Sequence, residues 1–399
     1  RVTYIICILL PLLLQCTGQN SGSDISPKEQ SITDILAERS NQFHTELESR
    51  GLIYPDSLAL ALLHGIGIPT AETLFPNEQI TFNVIRKSTV NAFALPNGNT
   101  YFTIGLLMRM ETPSQLAFVI AHELSHVKLK HGISTYQRRK QTMVSAHIFD
   151  LMLFGTGLAY IPAAASQAQF SRTQEFEADD LGLTVITELG YPIDTVHQLF
   201  DIFEQISPAA SVGWSLYRSH PTNHERKERV HSQIPLQEPD QNINPEFTEE
   251  LQELHTHLFH EYVQNTLLQK EYLLTQDIVR PAVTKNLSNP LYHYYAGELY
   301  LAQAIDPDET AEDYARFHSD VDLKILKNSY LDSISVWYQY AESEFEETLS
   351  LDSSFVLGYR GLGLVAYNQQ KYQDGIKYLQ HYLTHEQLIP DRKYLNYLI

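Results

Sequence analysis

The stretch from Pro113 to Gly132, Pro-Ser-Gln-Leu-Ala-Phe-Val-Ile-Ala-His-Glu-Leu-Ser-His-Val-Lys-Leu-Lys-His-Gly, constrains the fold more than any other. Its pattern predicts one helix. Ser114 is placed to act as an N-cap, and Gly132 to take the left-handed conformation that stops a helix. Lys128, Lys130 and His131 lie at the end where cations suit the helix dipole. Leu116, Phe118, Val119 and Ile120 would bury this helix, so what it carries sits on a rigid element. It carries His122-Glu123-Leu124-Ser125-His126. Histidines four residues apart lie one turn apart on one face and can grip the same metal ion. Glu123 lies between them, beside the open coordination position, where a carboxylate can take a proton from water. The five-residue pattern also arises in ordinary helices that carry two histidines, so the reading needs a partner elsewhere in the chain.

That partner is the run Ser171-Arg-Thr-Gln-Glu175-Phe-Glu177-Ala178-Asp179-Asp180-Leu-Gly182. It predicts a second helix that runs to about Leu189 and ends at Gly190 and Pro192. Glu175, Ala178, Asp179, Gly182 and Ile186 fall on one face. Two carboxylates stand one turn apart there, and the small residues beside them let this helix approach a neighbour closely. Glu175 can then complete a His, His, Glu triad on zinc, and Asp179 can hydrogen-bond the free nitrogen of a liganding histidine and fix its tautomer. Glu177 and Asp180 point elsewhere and read as solvated. Taken alone, an acidic helix start is ordinary dipole compensation.

The combination of His122-Glu123-x-x-His126 with Ser171-Arg172-x-x-Glu175-x-x-Ala178-Asp179 resembles the HtpX/BepA group of zinc metallopeptidases. Asn91-Ala-Phe-Ala-Leu-Pro-Asn-Gly, Gly105-Leu-Leu, and Ser219-His220-Pro221 followed by Arg226 look like further parts of that group's pattern. The resemblance covers roughly residues 30 to 235. It implies that His122, His126 and Glu175 hold one zinc ion per chain and that Glu123 is the catalytic base. It also implies a catalytic role for His220, near the metal, where it contacts the oxyanion or fills the open position in a resting state. Arg226 would support the ligands with Asp179. The alternative for His220 is a turn residue at a helix entrance. His131 reads as a helix-end cap, and His147, His224 and His231 lack partners at ligand spacing.

The chain has 399 residues and a formal net charge of −20, which argues against nucleic acid or an anionic membrane surface as partner. Its two cysteines, Cys7 and Cys16, both precede residue 17, so no disulfide framework or thiolate metal site is open to the rest. Tyr4 to Leu14 is a short apolar run after Arg1, which fits the core of a signal peptide over residues 1–18. Leu13-Leu14-Gln15-Cys16 resembles a bacterial lipoprotein signal with a lipid anchor on Cys16, although Gln15 departs from the small residue that signal has. Cleavage after Gly18 is the competing reading. Both imply export, to a bacterial periplasm.

Between these landmarks, Ile32 to Arg50 and Asp56 to Gly65 have helical character. Ile80 to Arg86, Val90 to Leu95 and Thr100 to Ile104 alternate as strands, and Asn97-Gly98 predicts a hairpin. The edge of that small sheet can pair with an extended peptide, or the hairpin is structural only. Met143 to Ala165 is apolar but interrupted by His147, Asp150 and Pro162, and reads as a buried helix or loop over the site. From about Asn244 long helical stretches rich in Tyr and Leu replace the β pattern. Phe345 to Leu383 has tetratricopeptide spacing, Ala296-Gly297-Glu-Leu-Tyr300 looks like another repeat's first helix, and Asp306 to Asp322 looks like an insertion.

The expected fold is mostly α (α+β). A helical zinc-metalloprotease domain with a small β-sheet spans 28–235, and an α-helical tetratricopeptide-like repeat domain spans 244–399. The resemblance, which extends to BepA-type proteases with such repeats, implies a periplasmic endopeptidase, associated with the outer membrane, in outer-membrane protein quality control. Its partners would be misfolded outer-membrane proteins as substrates and assembly machinery docking on the repeats. A second reading is a repeat-bearing chaperone or assembly scaffold with a little-used zinc site. A third, a membrane-embedded relative, is opposed by the lack of a long apolar span.

Overall fold

The structure is a computed structural model that describes residues 27–142, 170–206, 223–233, 245–318, 320–385 and 391–399. The stretch 1–18 read as a signal peptide, with Cys16, the 143–165 segment with His147, and Ser219, His220 and Pro221 lie outside the described residues.

The first half opens with α1 (Pro27–Ser49) and α2 (Ser57–Leu74), the latter capped by Asp56, which accepts from the Ala59 N–H at 2.8 Å. Strands β1 (Thr81–Ile85), β2 (Ala92–Ala94) and β3 (Asn99–Thr103) follow. They form one sheet in the order β1-β3-β2, with β1 parallel and β2 antiparallel to β3. The Asn97-Gly98 hairpin joins β2 to β3 as its sequence predicts. Gly98 adopts φ +86°, and its N–H donates to Leu95 O at 2.9 Å. Phe43 and Leu47 of α1 pack on Ile85, Leu95 and Tyr101, covering one part of the sheet.

After the sheet come the short α3 (Ile104–Leu107), α4 (Pro113–Lys128), α5 (His131–Thr142), α6 (Arg172–Glu188), α7 (Val196–Ile206) and α8 (Asn223–Gln233). Helix α4 lies at the centre, against α2, β2, α6 and α7. Its Leu116, Phe118, Val119, Ile120 and Leu124 are all buried. Each such side chain contributes about 1.5–3 kcal/mol relative to exposure, so this helix is firmly anchored. The N-cap is Thr112 rather than Ser114. Pro113 occupies the first turn, where its missing N–H costs nothing, and Thr112 exchanges a capping box with Gln115. The stop also differs from expectation. Lys130, not Gly132, takes positive φ (56°), and α5 begins at His131.

Among the described residues, eight helices make up the second half: α9 (Pro245–Leu268), α10 (Tyr272–Lys285), α11 (Pro290–Ile305), α12 (Pro307–Phe317), α13 (Leu323–Leu351), α14 (Leu357–Asn368), α15 (Tyr372–His385) and α16 (Arg392–Leu398). The stretch read as an insertion, 306–322, is mainly helix α12. Neighbours pack as α11 on α13 and α14 on α15, with Phe345 against Gly297 and Gly361. The two halves share one continuous core, which runs from Ala59 to Leu395. Polar bonds cross between them as well. Arg109 donates to the Tyr262 hydroxyl at 3.0 Å, His255 Nε2 to Leu107 O at 2.9 Å, and Arg86 pairs with Glu261 at 3.0 Å.

By length and composition α2 could cross a membrane, the one such helix among the described residues. In this fold Leu62, Leu63 and Ile66 of α2 are buried in the protein core.

Candidate metal centre

Helices α4 and α6 meet through small residues. A Cβ built on Gly182 would stand 3.3 Å from His122 N and 3.5 Å from its Cα, the first tighter than ordinary contact, so glycine here lets the backbones pass closely without a shift. Ala178, one turn earlier, is fully buried. Ser171 caps α6 in a capping box with Gln174, which puts Glu175 in the first turn, where the dipole favours a carboxylate.

This packing brings His122, His126 and Glu175 together. The two Nε2 atoms face each other at 3.1 Å, and each lies 3.7 Å from a Glu175 oxygen. All three residues are buried, and their potential donor atoms lie within 4.8 Å of one another. Three donors about 2.0–2.1 Å from one tetrahedral ion stand roughly 3.3 Å apart, so the observed separations bracket that spacing.

The charges fit as well. Glu123, Glu175 and Asp179 are buried carboxylates, and Arg226 is the buried cation beside them. With the carboxylates ionised, three negative charges face one positive, and a divalent cation balances the remainder. The donor set of imidazoles and a carboxylate suits zinc or another borderline divalent metal.

Asp179 lies with Oδ1 2.9 Å from His122 Nδ1. Arg226, on α8, donates to both its oxygens at 2.7 Å and reaches Glu175 Oε2 at 3.0 Å. Burial alone would push the Asp179 carboxyl up, but Arg226 and His122 outweigh it and hold the group well below the usual carboxylate range. Burial would likewise lower Arg226, yet Asp179 and Glu175 raise it, so it stays charged. The guanidinium also lies over the Phe200 ring at 5.3 Å. Glu123 is buried on α4 next to His122.

Two expectations need correction. His131 is no simple cap. It is buried, with Nδ1 3.0 Å from His126 Nδ1 and Nε2 3.1 Å from Glu177 Oε2. Burial lowers its pKa below the ordinary imidazole value, against the pull of Glu177. Glu177 is thus engaged rather than merely solvated. Asp180, as expected, lies away from the site, paired with Arg229 and Gln233. Of the remaining histidines, His224 is exposed beside Glu228, and His231 lies against His197. Phe170, which the sequence gave no reason to single out, stacks on His126 with centroids 4.0 Å apart.

Two histidines and a carboxylate from two packed helices, with a buried glutamate beside the first histidine, are the arrangement of a metallopeptidase site. The model of Peptidase family M48 matches residues 66–234, and that segment is a Peptidase family M48 domain. The chain is 27% identical over 164 residues to metalloprotease YcaL of Escherichia coli, covering 39% of this chain and 62% of that one. It is 25% identical over 155 residues to the mitochondrial metalloendopeptidase OMA1 of Schizosaccharomyces pombe, covering 38% of this chain and 46% of the other. It is 30% identical over 122 residues to the beta-barrel assembly-enhancing protease of Yersinia pestis, covering 28% and 25%. The chain therefore spans about three fifths or less of the length of these three relatives.

Proposed function

We propose that the chain is an exported zinc endopeptidase that hydrolyses peptide bonds in misfolded or stalled envelope proteins. The observation that carries the reading is the convergence of His122, His126 and Glu175 with Glu123 one residue from the first ligand. Bound there, zinc would supply Lewis acidity that polarises a scissile carbonyl and lowers the pKa of a water towards about 7.

The chain's own groups do the rest. Glu123 takes a proton from the attacking water as its oxygen bonds the carbonyl carbon, then passes that proton to the amine nitrogen as the C–N bond breaks. Asp179 keeps the proton of His122 on Nδ1, leaving Nε2 as a donor. Arg226 holds Asp179 ionised and pairs with Glu175. His220 is read as a catalytic group that steadies the oxyanion or occupies the open position at rest. An extended substrate would add to the edge of the β1-β3-β2 sheet by main-chain bonds.

The helical half is read as tetratricopeptide-like repeats that deliver substrates or dock assembly machinery. Large apolar side chains exposed on α13 (Ile325, Leu331, Val336 and Tyr340) support a surface that binds protein. The printed names of the relatives, a beta-barrel assembly-enhancing protease among them, support a role in outer-membrane protein quality control. The apolar run Tyr4 to Leu14 supports export to a periplasm, with a lipid anchor on Cys16 and cleavage after Gly18 as the two competing readings.

Metal analysis and a casein cleavage assay on wild type and Glu123→Gln test the reading. The variant should hold zinc as wild type does and lose cleavage by roughly 10²- to 10⁴-fold. Undiminished cleavage by the variant would refute the assignment of the base.

A further inference from the structure

The helix that carries the ligands ends just before His131. Lys130, at φ 56°, turns the chain, and the turn lays the His131 ring against His126, with centroids 5.0 Å apart at 71°. The ring is buried, and its outer nitrogen meets Glu177, whose side chain is 55% exposed.

Proton positions follow from this geometry. Two Nδ1 atoms 3.0 Å apart share one proton. A carboxylate at Nε2 of His131 accepts an N–H, so neutral His131 carries its proton on Nε2 and presents a bare Nδ1. His126 must then carry its own proton on Nδ1. Its Nε2 lone pair is left facing His122 and Glu175. A tautomer held the other way would put a proton into the middle of the three donors.

We propose that His131 is a positioning residue which, anchored by Glu177, fixes His126 as an Nε2 donor to the metal. The proposal rests on the zinc-peptidase reading. It makes the two histidine ligands unequal. His122 is oriented directly by a carboxylate that Arg226 locks in the interior. His126 is oriented through a second imidazole by a carboxylate at the surface.

The test compares His131→Leu and His131→Asn in the full chain. Zinc affinity is read by competition with a chromophoric chelator. The visible absorption of the protein at saturating cobalt is recorded, along with thermal melting of the metal-free form. His131→Leu should weaken zinc binding about 10- to 100-fold and shift the cobalt bands, while the metal-free protein still melts cooperatively. His131→Asn places Oδ1 where Nδ1 stood and accepts the same N–H, so it should recover most of the affinity and the wild-type spectrum. Glu177→Leu should weaken binding less than His131→Leu. A wild type that binds one zinc beside a His131→Leu variant with unchanged affinity and spectrum overturns this inference alone. So does an Asn variant as weak as Leu. A wild type that binds no zinc overturns the peptidase reading as well.

Discussion

Arg226 grips Asp179 through two hydrogen bonds of 2.7 Å, and both side chains are buried. The same guanidinium reaches Glu175 at 3.0 Å, so one cation from α8 ties the Glu175 carboxylate to the Asp179 carboxylate beside His122. Removing it leaves two buried carboxylates without the cation that faces both of them. Arg226→Met should therefore destabilise the metal-free protein by about 3–5 kcal/mol. Zinc should offset part of that loss, because a divalent cation restores the balance of charge. Urea unfolding with and without zinc checks both statements. A variant as stable as wild type without metal would contradict them.

Gly182 sets the distance between the two ligand-bearing helices. An added methyl would stand 3.3 Å from His122 N, tighter than ordinary contact. Replacing a helical glycine by alanine otherwise stabilises by about 1 kcal/mol. Here Gly182→Ala should lower zinc affinity, and Gly182→Val should lower it further, by about tenfold or more, as α6 is pushed off α4. Chelator competition measures the affinities. Unchanged affinity in the valine variant would show that the approach of the helices does not matter.

The candidate ligand set can be read from the sequence because helical spacing is local. His122 and His126, and Glu175 and Asp179, fall one turn apart within their own helices, and Ala178 and Gly182 announce a close neighbour. The hairpin at Asn97-Gly98 was legible for the same reason. What escaped depends on where the chain turns. Placing the helix stop at Gly132 hid His131, because its contact with His126 exists only when Lys130 turns the chain first. The parallel pairing of β1 with β3 leaves no local signal either, since the strands' partners are chosen across the sheet. Arg226 was singled out only through a resemblance, as nothing around it in sequence indicates two buried carboxylates. Asp306 to Asp322 read as an insertion because its hydrophobic spacing is sparse; its helix is framed by Asp306, whose carboxylate accepts from the Glu309 N–H.

Asp313 of α12 gives the helical half a pH dependence. Burial pushes its pKa up to about 6, against the Leu273 N–H that donates to its carboxylate at 2.8 Å. A carboxyl that protonates more readily folded than unfolded favours the fold below its ordinary value of 3.8, and that contribution is lost as pH rises to about 6. The loss is up to about 3 kcal/mol for a shift of this size. Asp313→Asn keeps an acceptor for Leu273 and carries no charge. It should match wild type near pH 4 and exceed it in stability above about pH 6.5, read from urea midpoints across that range. Equal midpoints at pH 8 would contradict the account.

The central claim is that two imidazoles and a carboxylate from two helices hold one divalent ion. Metal content of the purified chain, after dialysis against zinc and removal of the excess, tests it most directly. The account predicts one zinc per chain for wild type and near none for Glu175→Ala and for His122→Ala. A wild type that retains no zinc, or a Glu175→Ala variant that holds it as tightly as wild type, would contradict it.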